Sequence, residues 1–416
     1  MTNYPTYKLG ELISEAIGGD WGKAPDFLDE SYELAYCIRG AEYKNWADDN
    51  GSTAVLRKIK YTNLQKRQLK EGDIIVEISG GGPEQPVGRT EVITKRVLSN
   101  FKGSKVLCTN FLRLIRPNAE LVDAVFLNYY LKFFYSTGEI IKYQAGSNNL
   151  RNLKFKDYLN LPIPLPPLPT QRAIVTRIET LFAELDKAAE HLRTAQQQLK
   201  TYRQAVLKAA FEECDSYEKI TNCFDVTGGL TKNSQREKFP IKMPYLRVAN
   251  VYYNRLDLSE IKEIGVQESE IKDKLLKKDD LLFVEGNGSK EQIGRVAVWD
   301  GSIENCLHQN HIIKGRPLGT MLSKFALYYF ISDFGREQIL KVASSTSGLY
   351  TLSTEKVRNL KVPSCSLADQ HRIVQEIESR LSQASASSAC IENALQQAEA
   401  LRQSILKKAF SGELNL

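Results

Sequence analysis

Several patterns are missing from this 416-residue chain, and each absence narrows its function. No apolar run reaches the ~18 residues of a membrane-spanning helix. The amino-terminal stretch MTNYPTYKLGELISEA has no apolar core of signal-peptide length, so export is not expected. The seven cysteines (Cys37, Cys108, Cys214, Cys223, Cys306, Cys365, Cys390) form no CxxC pair and leave one over. That is the usage of a reducing compartment, and a cytoplasmic location is expected. Neither GKS nor GKT follows a glycine-rich stretch, and no GxGxxG marks a strand-to-helix turn, which argues against nucleotide binding. No GxSxG elbow is present. The Asn-Pro-Pro-aromatic or Asp-Pro-Pro-aromatic tetrapeptide of amino-methyltransferases is also missing, the nearest string being the apolar Leu165-Pro166-Pro167-Leu168. His308 and His311 form an HxxH, but no neighbouring acid or cysteine pattern completes a metal site, so they read as a structural pair. No catalytic or metal-ligating residue is expected in this chain.

What is there is ordinary globular material, 42% apolar and 25% charged, enough for two or three domains. The net charge of +6 suits a partner carrying negative charge without demanding one. The stretch from Thr170 to about Glu213 organises the rest. Its apolar positions Ile174, Ile178, Leu181, Leu185, Ala188, Leu192, Ala195, Leu199, Tyr202 and Val206 step alternately by four and three. That is the heptad seam of a helix lying along another helix. The run Leu161-Pro162-Ile163-Pro164-Leu165-Pro166-Pro167-Leu168-Pro169 predicts an extended, stiff lead-in, with Thr170 as the helix N-cap. At ~1.5 Å per residue such a helix is a spacer roughly 65 Å long.

The chain also repeats itself. Gln171, Ile174, Val175, Ile178 and Glu179 recur as Gln370, Ile373, Val374, Ile377 and Glu378, and Arg203-Gln204 and Ala210-Phe211 as Arg402-Gln403 and Ala409-Phe410, every pair 199 residues apart. A second helix, from Asp369 to about Gly412, is therefore a copy of the first. Ile373, Ile377, Ala384, Ile391, Ala394, Ala398, Leu401 and Ile405 keep the seam, whereas Arg380 and Ser387 fall on it. The Ser/Ala-rich middle, 381–389, reads as a close-packed helix crossing rather than a break, with a flexible linker as the alternative.

The regions ahead of the helices correspond more loosely. Arg39-Gly40-Ala41 matches Arg247-Val248-Ala249, and Leu69 to Ile75 matches Leu276 to Leu282. Arg116-Pro117 matches Arg316-Pro317. Strands are expected at Asp73 to Ile78, Val106 to Ile115, Leu281 to Glu285 and Arg295 to Trp299, and helices near Asp123 to Phe134 and Leu322 to Ile331. The expected fold is α+β: two similar globular domains separated by two long helices that form an antiparallel coiled coil with pseudo-two-fold symmetry. The boundaries are 1–160, 161–214, 215–358 and 359–416. The helix-pairing or partner-facing residues are Ile174, Ile178, Leu181, Leu185, Leu192, Leu199, Ile373, Ile377, Ile391, Leu401 and Ile405.

Each module carries one glycine-rich loop, Ser79 to Arg89 and Glu285 to Arg295, ending in Gly88-Arg89 and Gly294-Arg295. Glycine lets backbone approach a phosphate or base edge, and glutamine and arginine pair bidentately with adenine and guanine. A plain hairpin tip remains the alternative for either loop. Basic residues interleaved with tyrosine surround the loops, as backbone neutralisation requires. The candidate DNA contacts are Arg39, Lys58, Gly81, Gly82, Gln85 and Arg89 in the first module, and Arg247, Asn287, Gly288, Lys290, Gln292 and Arg295 in the second. Two rivals stand beside this reading. Pro25-Asp26 with Glu42-Tyr43-Lys44 resembles the PD…ExK arrangement of Mg-dependent nucleases or a single-chain restriction enzyme. A coiled-coil protein-interaction scaffold is the other.

Two variable modules alternating with two related long helices resemble the DNA-specificity (S) subunit of type I restriction–modification systems. The carrying residues are Leu161 to Val175 with its copy Leu360 to Val374, and the helix ends Leu207-Lys208-Ala209-Ala210-Phe211 and Ile405 to Leu414. The resemblance implies a non-catalytic subunit whose modules are target-recognition domains. Each would read one half of a bipartite, asymmetric site in double-stranded DNA. The helices would set the unread spacer and dock two methyltransferase (M) subunits. This chain would bind no cofactor itself. The M subunits would carry S-adenosylmethionine and methylate adenine, while motor–nuclease (R) subunits use ATP and Mg. Ala368 stands where the first copy has Pro169, and the second lead-in has lost most prolines.

Overall fold

Proline placement decides where the first long helix begins. In the computed structural model, which describes residues 4–82, 84–146, 150–212, 214–287, 289, 292–346 and 349–414 (without the side chains of 287, 344–346 and 349), that helix spans Leu168–Glu212. The Pro167 carbonyl accepts from the backbone N–H groups of Thr170 (2.9 Å) and Gln171 (3.0 Å). Thr170 therefore lies inside the first turn and is not the cap. Pro169 is tolerated there because a first-turn N–H has no partner within the helix. The copy spans Leu367–Ser411 and is capped by Ser366, whose Oγ accepts from the Asp369 N–H at 3.1 Å. Both helices are 45 residues long, and the Ser/Ala-rich stretch is continuous helix in which Ser385 and Ser387 donate back to Leu381 and Gln383 carbonyls. The linker alternative is thereby excluded. Among the described residues, no helix is long and apolar enough to cross a membrane.

The chain forms two compact units, and their border passes through both helices: 1–191 with 394–416, and 192–393. In the first unit an antiparallel sheet runs Ile13–Gly18, Leu112–Pro117, Ile74–Glu77, Thr90–Val92. In the second the same order is Phe224–Gly228, Ile312–Pro317, Leu281–Val284, Val296–Val298. A three-stranded sheet follows in each, Val55–Lys60, Tyr32–Ile38, Val106–Cys108 and Lys262–Val266, Ile241–Leu246, Leu307–His308, its last pair parallel. The glycine-rich segments Ser79–Gly81 and Gly286–Asn287 are each an edge strand of a third small sheet. The proline lead-in Pro162–Pro164 is extended and pairs with Thr6–Lys8, as Lys361–Pro363 does with Tyr217–Lys219. The expected strand Val106 to Ile115 is two strands in two sheets. A turn at Thr109, whose carbonyl accepts from Leu112 N–H at 2.9 Å, separates them.

Each unit's core takes in the start of one long helix and the end of the other. In the first unit Ile174 and Ile178 pack with Leu406 and Ala409, and Phe410 stacks on Phe133 at 5.6 Å. In the second, Val374 and Ile377 pack with Leu207 and Phe211, and Phe211 meets Phe325 edge-on at 5.3 Å. The helix segments run antiparallel within each unit: Arg402 reaches Asp186, and Arg203 donates to the Ala384 carbonyl at 3.5 Å. The recurring Ala-Phe pairs are thus core anchors.

The seam itself differs in one row from the sequence reading. Ile178, Leu185, Leu192 and Leu199 are covered or partly covered as expected. Between them, however, Ala189, Gln196 and Arg203 turn inward, while Ala188 and Tyr202 are exposed. In the copy, Leu381, Ser388 and Arg402 are partly covered, whereas Arg380, Ser387 and Leu401 (50% exposed) face outward. The sequence cannot choose between Ala188 and Ala189. Tertiary contacts choose for it: Arg402 lies over the Phe182 ring at 4.8 Å, and the Arg203 guanidinium reaches Ser385 Oγ at 3.4 Å.

The recurring glutamines lock the helix starts to the modules. Gln171, fully buried, accepts from Asp123 N–H (2.8 Å) and donates to the Leu121 (3.1 Å) and Pro166 (2.8 Å) carbonyls. Gln370 repeats this with Leu322 N–H (2.8 Å) and the Thr320 (3.2 Å) and Cys365 (3.0 Å) carbonyls. Three of a carboxamide's hydrogen-bonding positions are filled in each, which suits full burial.

Candidate nucleic-acid interface

A fully buried strand, Ile74–Glu77, delivers the first glycine-rich loop. The loop leaves through Ser79–Gly81, turns where Gly82 N–H donates to the Gln85 carbonyl (2.9 Å), and returns at Gly88-Arg89. Gly88 sits at φ 107°, and a Cβ there would lie 2.7 Å from Ile140. Gly294, at φ 63°, meets Ile339 at 2.6 Å in the same way. These two glycines are required by backbone and packing, so they position the following arginine.

Around Arg89 the structure brings five of the six candidates of the first unit together. Arg89 donates to both Glu77 carboxylate oxygens (2.8 and 2.6 Å) and to the Gly40 carbonyl (3.4 Å), and lies over the Tyr43 ring at 5.2 Å. The Gln85 carboxamide oxygen, in the orientation that satisfies both groups, accepts from Arg89 at 2.9 Å. Arg39 forks Glu42, whose side chain is 1% exposed and also accepts from the Arg39 N–H. Gly81, buried, faces the Gln85 carbonyl, which a Cβ would meet at 2.6 Å. Gly82 belongs to the same turn. Lys58 is elsewhere: it lies in the strand Val55–Lys60 opposite Leu34, with Nζ at 3.5 Å from the Tyr32 carbonyl.

In the second unit Arg247 precedes the turn at Val248–Asn250, and Arg295 reaches that turn with its guanidinium. Arg295 donates to the Val248 carbonyl (3.1 Å) and Gln292 Oε1 (3.5 Å) and lies over the Tyr252 ring at 5.1 Å. Arg247 pairs with Glu260 at 3.3 Å, and its N–H donates to Asn250 Oδ1 at 2.8 Å. Asn287 pairs through its backbone with Tyr350; Gly288 and Lys290 lie outside the described residues.

Sequence reasoning missed Glu77 and the Tyr43 ring, because nothing in a single strand end announces that its carboxylate faces an arginine twelve positions on, whereas Tyr252 is one of the tyrosines it set beside the basic residues. It also missed the exposed Trp21 under Arg57 (4.3 Å). Glu42, which the nuclease rival needs as a metal ligand, is buried and held by Arg39. Among the described residues no three His, Cys, Asp or Glu side chains gather as metal ligands.

The two histidines serve separate partners. His311 Nδ1 contacts Glu285 at 2.8 Å, while His308, fully buried, bonds the Ile312 carbonyl at 2.9 Å. Burial, then the charge of Lys314, pushes the His308 pKa down to about 3. Lys314, 2% exposed, donates to the Asp273 carbonyl at 2.9 Å, and burial lowers its pKa to about 8. By strand register the first unit has Cys108 and Leu114 in these places. An unfolded histidine takes up its proton near pH 6.5, and the folded one resists to about 3, so unfolding binds the proton and stability falls as pH drops through that interval. His308→Cys is expected to flatten this acid limb for the second unit only. Urea midpoints compared near pH 7.5 and about pH 5, with hydrogen exchange reporting each unit, check it. Equal acid loss in variant and wild type would refute the assignment.

Residues 3–192 and 217–397 match the family described as the type I restriction modification DNA specificity domain, once per half. The EcoKI specificity subunit of Escherichia coli (strain K12) is 29% identical over an alignment covering 91% of this chain and 86% of that protein. The StySPI specificity subunit of Salmonella potsdam is 28% identical with the same coverage. Among solved structures, a chain from "Structural basis underlying complex assembly and conformational transition of the type I R-M system" has a TM-score of 0.72 at 17% identity, covering all of both chains. The HsdS subunit from Thermoanaerobacter tengcongensis gives a TM-score of 0.61 at 18% identity, covering all of this chain and 98% of that one. These two likenesses show the fold. With two copies of the family domain spanning most of its length, the chain belongs to the DNA-specificity subunit family of type I restriction–modification systems.

Proposed function

We propose that this chain reads a bipartite, asymmetric site in double-stranded DNA, one half with each unit, and carries no catalytic group itself. The observation behind this is that four sheets recur with the same strand order in both units, whose loop-bearing edges differ in side chains. One scaffold with two different edges suits two different half-sites. Base readout is assigned to the loop residues Gly81, Gly82 and Gln85 in the first unit, and Asn287, Gly288, Lys290 and Gln292 in the second. The unbroken 45-residue helices set the unread spacer and offer outward positions such as Leu401 to two methyltransferase subunits. Those subunits supply S-adenosylmethionine and the methyl transfer, and motor–nuclease subunits supply ATP- and Mg-dependent cleavage.

The test is co-purification with the methyltransferase partner followed by methylation mapping. Expected are one split sequence methylated by the complex, and neither cutting nor methylation by the lone chain with Mg²⁺. Cleavage by the lone chain that is lost in Glu42→Gln supports the nuclease rival. A complex that forms but shifts no DNA supports the scaffold.

A further inference from the structure

The two arginine pairs described above occupy the same place in the repeated fold but differ in charge balance. Arg89 Nη2 donates to the Gly40 carbonyl and Arg295 Nη2 to the Val248 carbonyl, which are matching backbone positions of the two turns. The backbone N–H of Glu77 donates to the Arg89 carbonyl, and that of Val284 to the Arg295 carbonyl, so Val284 stands where the first unit has Glu77. Asn250 likewise stands where the first unit has Glu42: each accepts from the N–H of the arginine three residues before it. In the first unit, two arginines therefore face two carboxylates, Glu42 and Glu77, which are 2% and 3% exposed. In the second, two arginines face an amide and an isopropyl group. Glu260 touches Arg247 from outside, but its own side chain is 69% exposed and water screens it.

A buried guanidinium without a carboxylate is strongly disfavoured. Arg295 is 8% exposed, and its Nε, like that of Arg247, has no hydrogen-bond partner among the described residues. Each of these arginines therefore keeps one buried N–H without an acceptor, and a phosphate is an acceptor that a guanidinium takes through its N–H groups.

Building on the DNA-reading function above, we propose that Arg247 and Arg295 form an anion site that takes a DNA backbone phosphate, and that the matching place in the first unit is neutralised internally by Glu42 and Glu77. Arg89 is then a strut for its loop, and Arg295 a positioning contact that holds the second unit on its half-site. The two halves of the site are consequently bound with unequal dependence on salt.

The experiment measures affinity of the methyltransferase-bound complex for its site as a function of salt. One neutralised phosphate contributes about 0.9 to the slope of log K against log salt. Val284→Glu, which installs the first unit's carboxylate beside Arg295, is expected to lower that slope by about one and weaken binding roughly tenfold. Val284→Leu should change neither. Arg295→Gln should act as Val284→Glu does and decides the matter if the buried glutamate prevents folding. An unchanged slope in Arg295→Gln, with wild-type DNA binding intact, overturns the phosphate site while leaving the DNA reading standing. A wild-type complex that binds no DNA overturns both, and is recognised before any variant is compared.

Discussion

Asp280→Ala should destabilise the second unit by about 3–5 kcal/mol while the first unit keeps its native hydrogen-exchange protection. Asp280 is fully buried and accepts both Arg316 Nε (2.9 Å) and Nη2 (2.8 Å), while its Oδ2 also takes the Lys277 N–H at 2.7 Å. Removing the carboxylate leaves a part-buried guanidinium uncompensated and an amide unpaired, and that, more than the lost attraction, is what costs stability. Arg316→Met in the same chain should recover most of the loss, since the orphaned charge goes with it. The first unit builds the same bond between Asp73 and Arg116 (2.7 and 3.0 Å), but there Arg116 also pairs with Glu15. Asp73→Ala should therefore harm the first unit less than Asp280→Ala harms the second. Urea titration with exchange measured on strands Leu281–Val284 and Ile74–Glu77 separates the two. Equal losses in both units from the single Asp280 change would contradict this assignment.

The second large effect concerns the helices. Deleting Ala188 to Thr194 together with Ser387 to Asn393 removes one heptad from each, about 10.5 Å of rise. The joined seams, Leu185 to Gln196 and Ala384 to Leu395, keep their alternation, because the cut is one whole repeat. Under the proposed function, both half-sites stay the same and the preferred spacer shortens by up to about three base pairs, at ~3.4 Å each. Methylation mapping reads this directly, and the original spacer retained at wild-type efficiency would remove the helices from any role in spacing. A four-residue deletion in each helix breaks the alternation and should cost folding instead.

Much of the architecture was legible before any coordinates. The 199-residue offset announced a duplicated helix, and the paired Arg-Gly-Ala and Arg-Val-Ala strings, with the recurring Leu-Lys segments, announced a duplicated module. Those signals are local in sequence: periodicity, proline, and strings that repeat. The seam shows where they stop. By pattern Tyr202 belongs on the seam and Arg203 off it, yet the partner segment draws Ala189 and Arg203 inward and leaves Ala188 and Tyr202 exposed. The candidate interface shows the same limit: residue type alone groups Lys58 with the arginines, whereas its strand carries it elsewhere.

By itself, then, the sequence determined two related α+β modules and two related long helices, because burial period and helix termination are written in consecutive residues. Only the tertiary structure decided that Phe211 and Phe410 end as core anchors, that Gln171 and Gln370 clamp the helix starts, and that Glu77 pairs with Arg89 where Val284 gives Arg295 no carboxylate. Each of these joins residues far apart in the chain, and a contact of that kind depends on where the strands bring them, which no run of neighbouring residues encodes.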